Sequence, residues 1–169
     1  MEYTTLGRTG LKVSIASLGC GGGSRLGKSS GKSEQHSINI VRKAMDLGIN
    51  FLDTANSYGT ESIVGKAIRV LPRDQVVIST KHHGAWQGKI YTPEDVVAGL
   101  DNSLRALNTD YVDIFHLHGV VPEYFDHAMT VVPQLLKEKE KGKFRFLGIT
   151  ESAPSDPKQI SLSKALELD

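Results

Sequence analysis

Several features that mark specialised classes of protein are scarce or missing in this chain of 169 residues. Cys20 is its single cysteine, so no disulfide can form within the chain and a reducing compartment is favoured. Lysine and arginine number 20 against 19 aspartate and glutamate, a balance that favours neither nucleic acid nor an anionic membrane as partner. No apolar run approaches the ~20 residues of a membrane span, and the first residues lack the apolar core of a signal peptide. We therefore expect a soluble, cytoplasmic protein with no nucleic-acid or membrane partner.

What the chain does contain is a regular alternation of strand-like and helical segments. We predict strands over residues 11–21, 49–55, 75–83, 111–120 and 143–152, and helices over residues 33–48, 61–71, 92–108, 122–143 and 156–169. Ser33 and Thr92 are the expected N-caps of the first and third helices, and Gly48 is expected to end the first. Pro133 is expected to kink or split the fourth helix, whose charged run KEKEKGK is expected to be a solvated end. Alternating elements with short connections predict a parallel sheet, and the strand ends recur at roughly the spacing of one barrel βα unit.

Ionisable side chains stand at the carboxyl ends of three successive predicted strands. Asp53 closes INFLD, Lys81 closes VVISTK and His118 closes IFHLH. In a barrel these strand ends share one mouth, where active sites are built. Tyr58 lies in the turn after the second strand and can reach over the same mouth. Trp86, after the third strand, is predicted to be either a wall of the pocket or a packing residue.

These four side chains form a set suited to delivering a proton to a carbonyl group. A free tyrosine, with a pKa near 10, is a weak acid at neutral pH. A neighbouring lysine ammonium is expected to lower that pKa, and an aspartate is expected to keep the lysine protonated and in place. A neutral histidine can donate a hydrogen bond that orients the carbonyl oxygen. Asp53, Tyr58, Lys81 and His118 therefore predict a carbonyl reductase, provided that a hydride donor sits opposite.

At these positions the sequence resembles the aldo-keto reductase family. GINFLDTANSYGTESIVGKAI resembles the family signature D-T-A-x-x-Y-G followed by E-x-x-x-G, and YVDIFHLH resembles its Y-x-D-x-x-x-x-H strand. The opening YTTLGRTGLKVS resembles the N-terminal hairpin that caps the barrel floor. LGCGGG resembles the first strand and turn, and GKFRFLGIT resembles the fifth strand. The resemblance covers nearly the whole chain.

The resemblance implies roles for individual residues. Asp53, Lys81, Tyr58 and His118 match the catalytic residues of the family, which reduces aldehydes and ketones with a nicotinamide cofactor, usually NADPH. The substrate it implies is a small-molecule carbonyl compound, and it implies no metal.

Four residues are expected to contact the cofactor. Gly21 and Gly22 lie in the turn after the first strand, where close backbone approach to a nicotinamide or a substrate would favour glycine. Thr150 and Glu151 stand where the family often has Ser-Asn holding the nicotinamide carboxamide.

The fold class implied is α/β of the (β/α)8 TIM-barrel type, incomplete here. Residues 1–169 are expected to form one domain, the N-terminal part of the barrel, with about five βα units and a hairpin cap. Such an open part-barrel leaves a strand edge unpaired and apolar side chains uncovered. We expect the chain alone to be marginally stable, inactive or self-associating through that edge. A truncated, non-catalytic barrel relative or a binding or regulatory subunit is the alternative function.

Two other readings of the sequence remain open. GGSRLGKS (residues 22–29) matches the P-loop pattern, but Gly31 would then fall in the first helical turns and no Walker B strand is evident. His116 and His118 are two residues apart on one strand, so they face the same side and would suit a metal-dependent hydrolase, whose site His82 or His83, Asp53 and Lys81 could complete. That reading leaves Tyr58 and its surrounding motif unexplained.

Overall fold

The computed structural model describes residues 1–168, and Asp169, the last residue of the predicted fifth helix, lies outside them. Five parallel strands form the central sheet, in which neighbouring strands follow one another in chain order with helices between them. The strands are β3 (Leu18–Gly19), β4 (Phe51–Asp53), β5 (Val77–His82), β8 (Val112–Leu117) and β9 (Phe144–Ile149). The helices are α1 (Glu34–Asp46), α2 (Glu61–Ile68), α3 (Pro93–Leu107), α4 (Phe125–Glu140) and α5 (Ile160–Ala165). This architecture is the incomplete (β/α)8 barrel that the sequence predicts.

The N-terminal segment forms an antiparallel hairpin below the sheet. Strand β1 (Tyr3–Thr5) pairs with β2 (Lys12–Ser14). Leu11 and Val13 pack against Val77 and Ile114 from the sheet, so the hairpin covers apolar residues at the start of the strands. The N-terminal hairpin that the resemblance implies is therefore present, whereas the single strand predicted over residues 11–21 is wrong. It divides into β2 and β3, because the chain must turn between the hairpin and the sheet.

Side chains on β5 alternate between two environments. Val77 packs against the hairpin, and Lys81 approaches Asp53 on the same face of the sheet. Ile78 belongs to the apolar core that the sheet forms with its helices, and Thr80 bonds to a side chain of α2. This period of two assigns Lys81 to the inner face of the part-barrel, above an apolar floor.

The helix boundaries follow their capping residues. The Ser33 hydroxyl accepts a hydrogen bond from the backbone N–H of His36, and Thr92 and Asp95 form a complete capping box. Gly48, at φ +91°, follows the first helix as expected. Pro133 lies inside α4 without splitting it.

The charged run at the end of α4 is not simply solvated. Glu138 is 1% exposed and pairs with Lys141 and Lys143, each at 2.7 Å. Lys143 also pairs with Asp101 of α3 at 2.5 Å. The expectation of a solvated helix end was wrong at Glu138, because these pairs connect α4 to α3.

Asp113 connects three elements at the amino end of the sheet, opposite the strand ends that carry Asp53 and Lys81. It is 2% exposed and accepts hydrogen bonds from Arg73 at 2.8 Å and from the backbone N–H of Ile78 at 2.9 Å. Arg145 of β9 approaches its other carboxylate oxygen at 3.1 Å. This aspartate is thus engaged in holding β5, β8 and β9 together.

The residues of the E-x-x-x-G motif both have packing roles. The Thr80 hydroxyl donates to the Glu61 carboxylate at 2.6 Å, which joins α2 to β5. A Cβ atom on Gly65 would lie 2.5 Å from the backbone oxygen of Leu107, so α2 and α3 touch here without an intervening side chain.

Within residues 1–168, no helix is long and apolar enough to cross a membrane.

Replacing Gly65 by alanine should lower the free energy of unfolding by about 1–3 kcal/mol. Alanine in a helix normally gains about 1 kcal/mol over glycine, but a contact this short with backbone atoms forces the helices apart and outweighs that gain. Urea denaturation followed by circular dichroism measures the change. Gly23→Ala is the matched control, since its Cβ would meet nothing within 4 Å and its φ is not positive. A Gly65→Ala variant as stable as the wild type would contradict the packing argument.

Candidate active site

A close ion pair lies at the carboxyl ends of β4 and β5. The Lys81 ammonium is 2.6 Å from Oδ1 of Asp53 and also donates to the backbone oxygen of Thr54 at 2.7 Å. The Ser79 hydroxyl donates to the same Asp53 oxygen at 2.9 Å. The Lys81 side chain is 6% exposed and that of Asp53 is 32% exposed. The pair therefore fixes a positive charge just inside the mouth of the part-barrel.

Tyr58 lies over this pair. It ends the 3₁₀ turn Asn56–Tyr58, and the Lys81 ammonium is 5.2 Å from the centre of its ring. Burial, helped by the Asp53 carboxylate, raises the pKa of the Tyr58 phenol above its ordinary value. The expectation of a lowered pKa was wrong for this arrangement, because burial disfavours the charged phenolate and the Asp53 carboxylate adds to that effect. The phenol thus keeps its proton at neutral pH.

Gly21 provides the space that Tyr58 needs. A Cβ atom at Gly21 would lie 2.5 Å from the tyrosine ring, so the ring rests directly on the backbone of the turn after β3. A glycine is required here because another group comes close to the backbone, as expected. In the structure that group is the Tyr58 ring. The role of Gly21 in cofactor binding remains a prediction.

His118 completes the group on the far side of Tyr58. It follows β8 directly, and its ring meets the Tyr58 ring edge-to-face with centroids 5.6 Å apart. Burial, with smaller contributions from His83 and Lys81, lowers the pKa of His118 to about 4. The structure thus brings together all four residues that the sequence predicted for catalysis, and His118 is neutral at neutral pH.

His116 lies in a different place from His118. Its Nδ1 atom is buried without a hydrogen-bond partner, and its ring fills the space that a side chain at Gly148 of β9 would take. Burial and the charge of Lys81 lower its pKa to about 4. Within residues 1–168 no three histidine, cysteine, aspartate or glutamate side chains form a group that could hold a metal ion. The hydrolase reading of His116 and His118 therefore has no support from side-chain geometry.

His83 belongs to the site, and the sequence suggested it only as an alternative to His82 in the metal site of a hydrolase. Its Nδ1 is 2.9 Å from the backbone oxygen of His118. Its ring stacks between those of His118, at 4.4 Å, and Trp86, at 4.6 Å. Trp86 lies in a short hairpin, β6 (Ala85–Trp86) with β7 (Lys89–Ile90), that the sequence reading also missed. The available signal was the His82-His83 pair directly after Lys81, of which His82 instead packs on Gly99 of α3.

A cavity of about 410 Å³ opens in front of these rings. Its lining consists of Arg25, Ser57, Tyr58, His83, Trp86, His118, Gly119, Glu151 and Ser152. Trp86 is thus a wall of the cavity, one of the two roles expected for it. A larger groove of about 510 Å³ lies between α3 and Lys143 at the opposite end of the sheet, and its lining includes none of the four predicted catalytic residues.

Of the four residues predicted to bind a cofactor, one lines this cavity. Glu151 lines it, and the Thr150 hydroxyl accepts a hydrogen bond from the Gly119 backbone N–H at 2.9 Å, which leaves its own proton free to donate. Gly22 has φ +67° and would meet nothing within 4 Å of an added Cβ. The positive φ of the turn therefore accounts for a glycine at this position.

The GGSRLGKS stretch has no P-loop geometry. A P-loop helix begins at its Gly-Lys-Ser, whereas here Lys28–Ser30 form one 3₁₀ turn and α1 begins at Glu34. Lys28 donates to the backbone oxygen of Gly59 at 3.0 Å.

Comparison with known proteins gives consistent matches. The model of the Aldo/keto reductase family matches residues 17–168. L-galactose dehydrogenase of Arabidopsis thaliana is 39% identical over 157 residues, which are 89% of this chain and 48% of the plant protein. The NADH-specific methylglyoxal reductase of Escherichia coli is 33% identical over 169 residues, covering 88% of this chain and 51% of the bacterial protein.

Solved structures agree with the sequence matches. The holo form of an aldo-keto reductase from Bacillus halodurans superposes with a TM-score of 0.72 and 30% identity, covering 89% of this chain and 50% of that one. The chain thus spans about half the length of the relatives it matches.

The buried histidines should make stability depend on pH. Unfolded histidine has a pKa near 6.5, so between about pH 6.5 and 4 the unfolded chain binds more protons than the folded chain. The free energy of unfolding should therefore fall as pH drops through this window, by an amount of order 3 kcal/mol for His116. Urea titrations at a series of pH values measure it.

His116→Asn should flatten this pH dependence, whereas the control His36→Asn, at an exposed position on α1, should not. Histidine Cε1–H resonances in NMR spectra would show the transitions of His116 and His118 directly. Midpoints near 6.5 for both would contradict the burial described here.

Proposed function

The chain belongs to the aldo/keto reductase family, and from this premise we propose that it carries the catalytic half of a nicotinamide-dependent reductase of aldehydes or ketones. Tyr58 is the general acid, assisted by Lys81, Asp53 and His118. The observation that supports the proposal is the position of the Tyr58 phenol between the Lys81–Asp53 pair and the His118 ring, facing one cavity.

Each of these residues has a defined part in moving one proton. Tyr58 holds a proton at neutral pH, because burial and Asp53 raise its pKa, and donates it to the carbonyl oxygen as the alcohol forms. The phenolate left behind is stabilised by the nearby Lys81 ammonium, which Asp53 and Thr54 hold in place. Neutral His118 can orient the carbonyl oxygen by donating a hydrogen bond from Nε2.

Members of this family use nicotinamide cofactors, and the cofactor proposed here is NADPH. The bound nicotinamide would supply the hydride. Thr150 offers a hydroxyl donor and Glu151 a carboxylate acceptor, which together suit the two ends of a carboxamide group. Gly21 and Gly22 would border the same mouth. The preference for NADPH over NADH rests on the family resemblance, and comparing the dissociation constants of the two cofactors tests it.

The proposed substrate is a small-molecule carbonyl compound. The similar proteins are named for L-galactose oxidation and for methylglyoxal reduction, and both reactions interconvert a carbonyl and an alcohol. We propose the same reaction class for this chain, acting as one domain over residues 1–169. The single buried cysteine, Cys20, favours the reducing cytoplasm as its location.

A second proposal concerns the open edges of the sheet. In residues 1–168, β3 and β9 are the outer strands of the central sheet. Their free backbone groups can pair with another chain, so self-association is expected for the 169-residue chain on its own. A non-catalytic binding subunit is the alternative function if the chain binds a cofactor without turnover.

Replacing Tyr58 by phenylalanine should reduce aldehyde-dependent NADPH oxidation by about 10²–10⁴-fold, because the proton donor is lost while the ring remains. The assay compares the purified wild-type and variant chains by nicotinamide absorbance. Tyr124→Phe is the matched control, since Tyr124 ends the turn Pro122–Tyr124 and does not line the cavity. Equal rates for wild type and Tyr58→Phe would overturn the catalytic proposal.

Sedimentation velocity should show a concentration-dependent increase in size for the 169-residue chain, because strand edges pair more at higher concentration. NADPH binding, followed by fluorescence, should be weak in the monomer fraction. A monomer at all concentrations that binds NADPH tightly would contradict both expectations.

A further inference from the structure

We propose that His83 is a specificity-determining residue: it accepts a hydrogen bond from a hydroxyl group of the substrate, so the site favours carbonyl compounds that carry a hydroxyl beside the carbonyl. The inference rests on the proposed function, since it takes the cavity in front of Tyr58 as the place where the carbonyl reacts.

The tautomer of His83 follows from its hydrogen bond. Its Nδ1 lies 2.9 Å from the backbone oxygen of His118, and a carbonyl oxygen can only accept, so Nδ1 must carry the proton. In a neutral imidazole the other nitrogen then has a free lone pair. Nε2 has no hydrogen-bond partner within residues 1–168 and is not among the buried polar atoms there. His83 therefore presents an acceptor at the wall of the cavity.

The ring of His83 is held in one orientation. His118 covers one face at 4.4 Å and 13° between planes, and Trp86 covers the other at 4.6 Å and 28°. Rotation of the ring would break the bond to the His118 oxygen and lose both stacks. Burial also lowers the pKa of His83, which keeps the ring neutral near pH 7.

The cavity then has two complementary polar functions on neighbouring walls. The Tyr58 phenol is a donor for the carbonyl oxygen, and Nε2 of His83 is an acceptor for a hydroxyl proton. The exposed face of Trp86, which is 40% accessible, offers a flat apolar surface to the C–H groups of the same ligand. A substrate without the hydroxyl would displace water from Nε2 without replacing the lost hydrogen bond, and its binding would be weaker.

The test uses a matched pair of ligands and a reporter inside the cavity. Hydroxyacetone and 2-butanone have nearly the same shape. They differ in one group on the carbon beside the carbonyl, which is a hydroxyl in hydroxyacetone and a methyl in 2-butanone. Trp86 is the single tryptophan of the chain, so its fluorescence reports binding in this cavity without any turnover. The wild-type chain should bind hydroxyacetone about tenfold more tightly than 2-butanone.

Two variants separate acceptance of the hydroxyl from packing. His83→Phe keeps an aromatic ring between His118 and Trp86 and should abolish the preference, because it weakens the binding of hydroxyacetone about tenfold more than that of 2-butanone. His83→Gln restores an acceptor oxygen and should recover part of the preference. Circular dichroism confirms that each variant is folded.

Three results would overturn the proposal: no preference in the wild type, a preference that survives in His83→Phe, or an equal loss of affinity for both ligands. The last would mean that His83 only packs. Failure of the proposed function gives a different result, because the binding preference would persist in a chain that shows no cofactor-dependent turnover.

Discussion

The ion pair between Lys81 and Asp53 is the contact on which the arrangement of the site depends. Removing an ammonium from water costs several kcal/mol, so a lysine with a 6% exposed side chain needs close partners to stay charged. The Asp53 carboxylate and the Thr54 carbonyl are these partners, and the Ser79 hydroxyl donates a further hydrogen bond to the carboxylate. These groups meet only when β4 and β5 pair with Asp53 opposite Ser79. A slip of one residue would turn the Lys81 side chain towards the helices. The ion pair can therefore form only in the observed register of β4 and β5.

Three glycines allow the rings in and around the site to pack directly against the backbone. Tyr58 rests on Gly21, His116 on Gly148 and His82 on Gly99, and in each case an added Cβ would overlap the ring. The aromatic side chains therefore lie against backbone, which cannot move aside as a flexible side chain would. The same closeness explains why the histidines are neutral, since little water is left to solvate an imidazolium. The proposed proton-transfer site thus consists of neutral rings packed against backbone around one fixed ion pair.

Some residues of the site could be predicted from the sequence, and others could not. Asp53, Lys81 and His118 were predicted from their positions at strand ends, because parallel strands bring equivalent ends together whatever the details of packing. Tyr58 was predicted from the length of the turn that follows Asp53. The direction of its pKa shift was not, because it depends first on how deeply the fold buries the phenol and then on its distance from the Asp53 carboxylate. The position of His83 and its hairpin were missed because the segment after β5 has no periodic pattern. The orientation of His83 also depends on a backbone oxygen 35 residues away in sequence.

The sequence by itself determined the alternation of strands and helices, their caps at Ser33 and Thr92, and the ionisable residues at the strand ends. These follow from local rules, the period of side chains along a strand and the hydrogen bonds of a helix terminus. Tertiary structure alone decided that Glu138 is buried in ion pairs and which nitrogen of His83 carries the proton. Each of these depends on which distant groups come within hydrogen-bonding or packing distance, and only the folded chain fixes those distances.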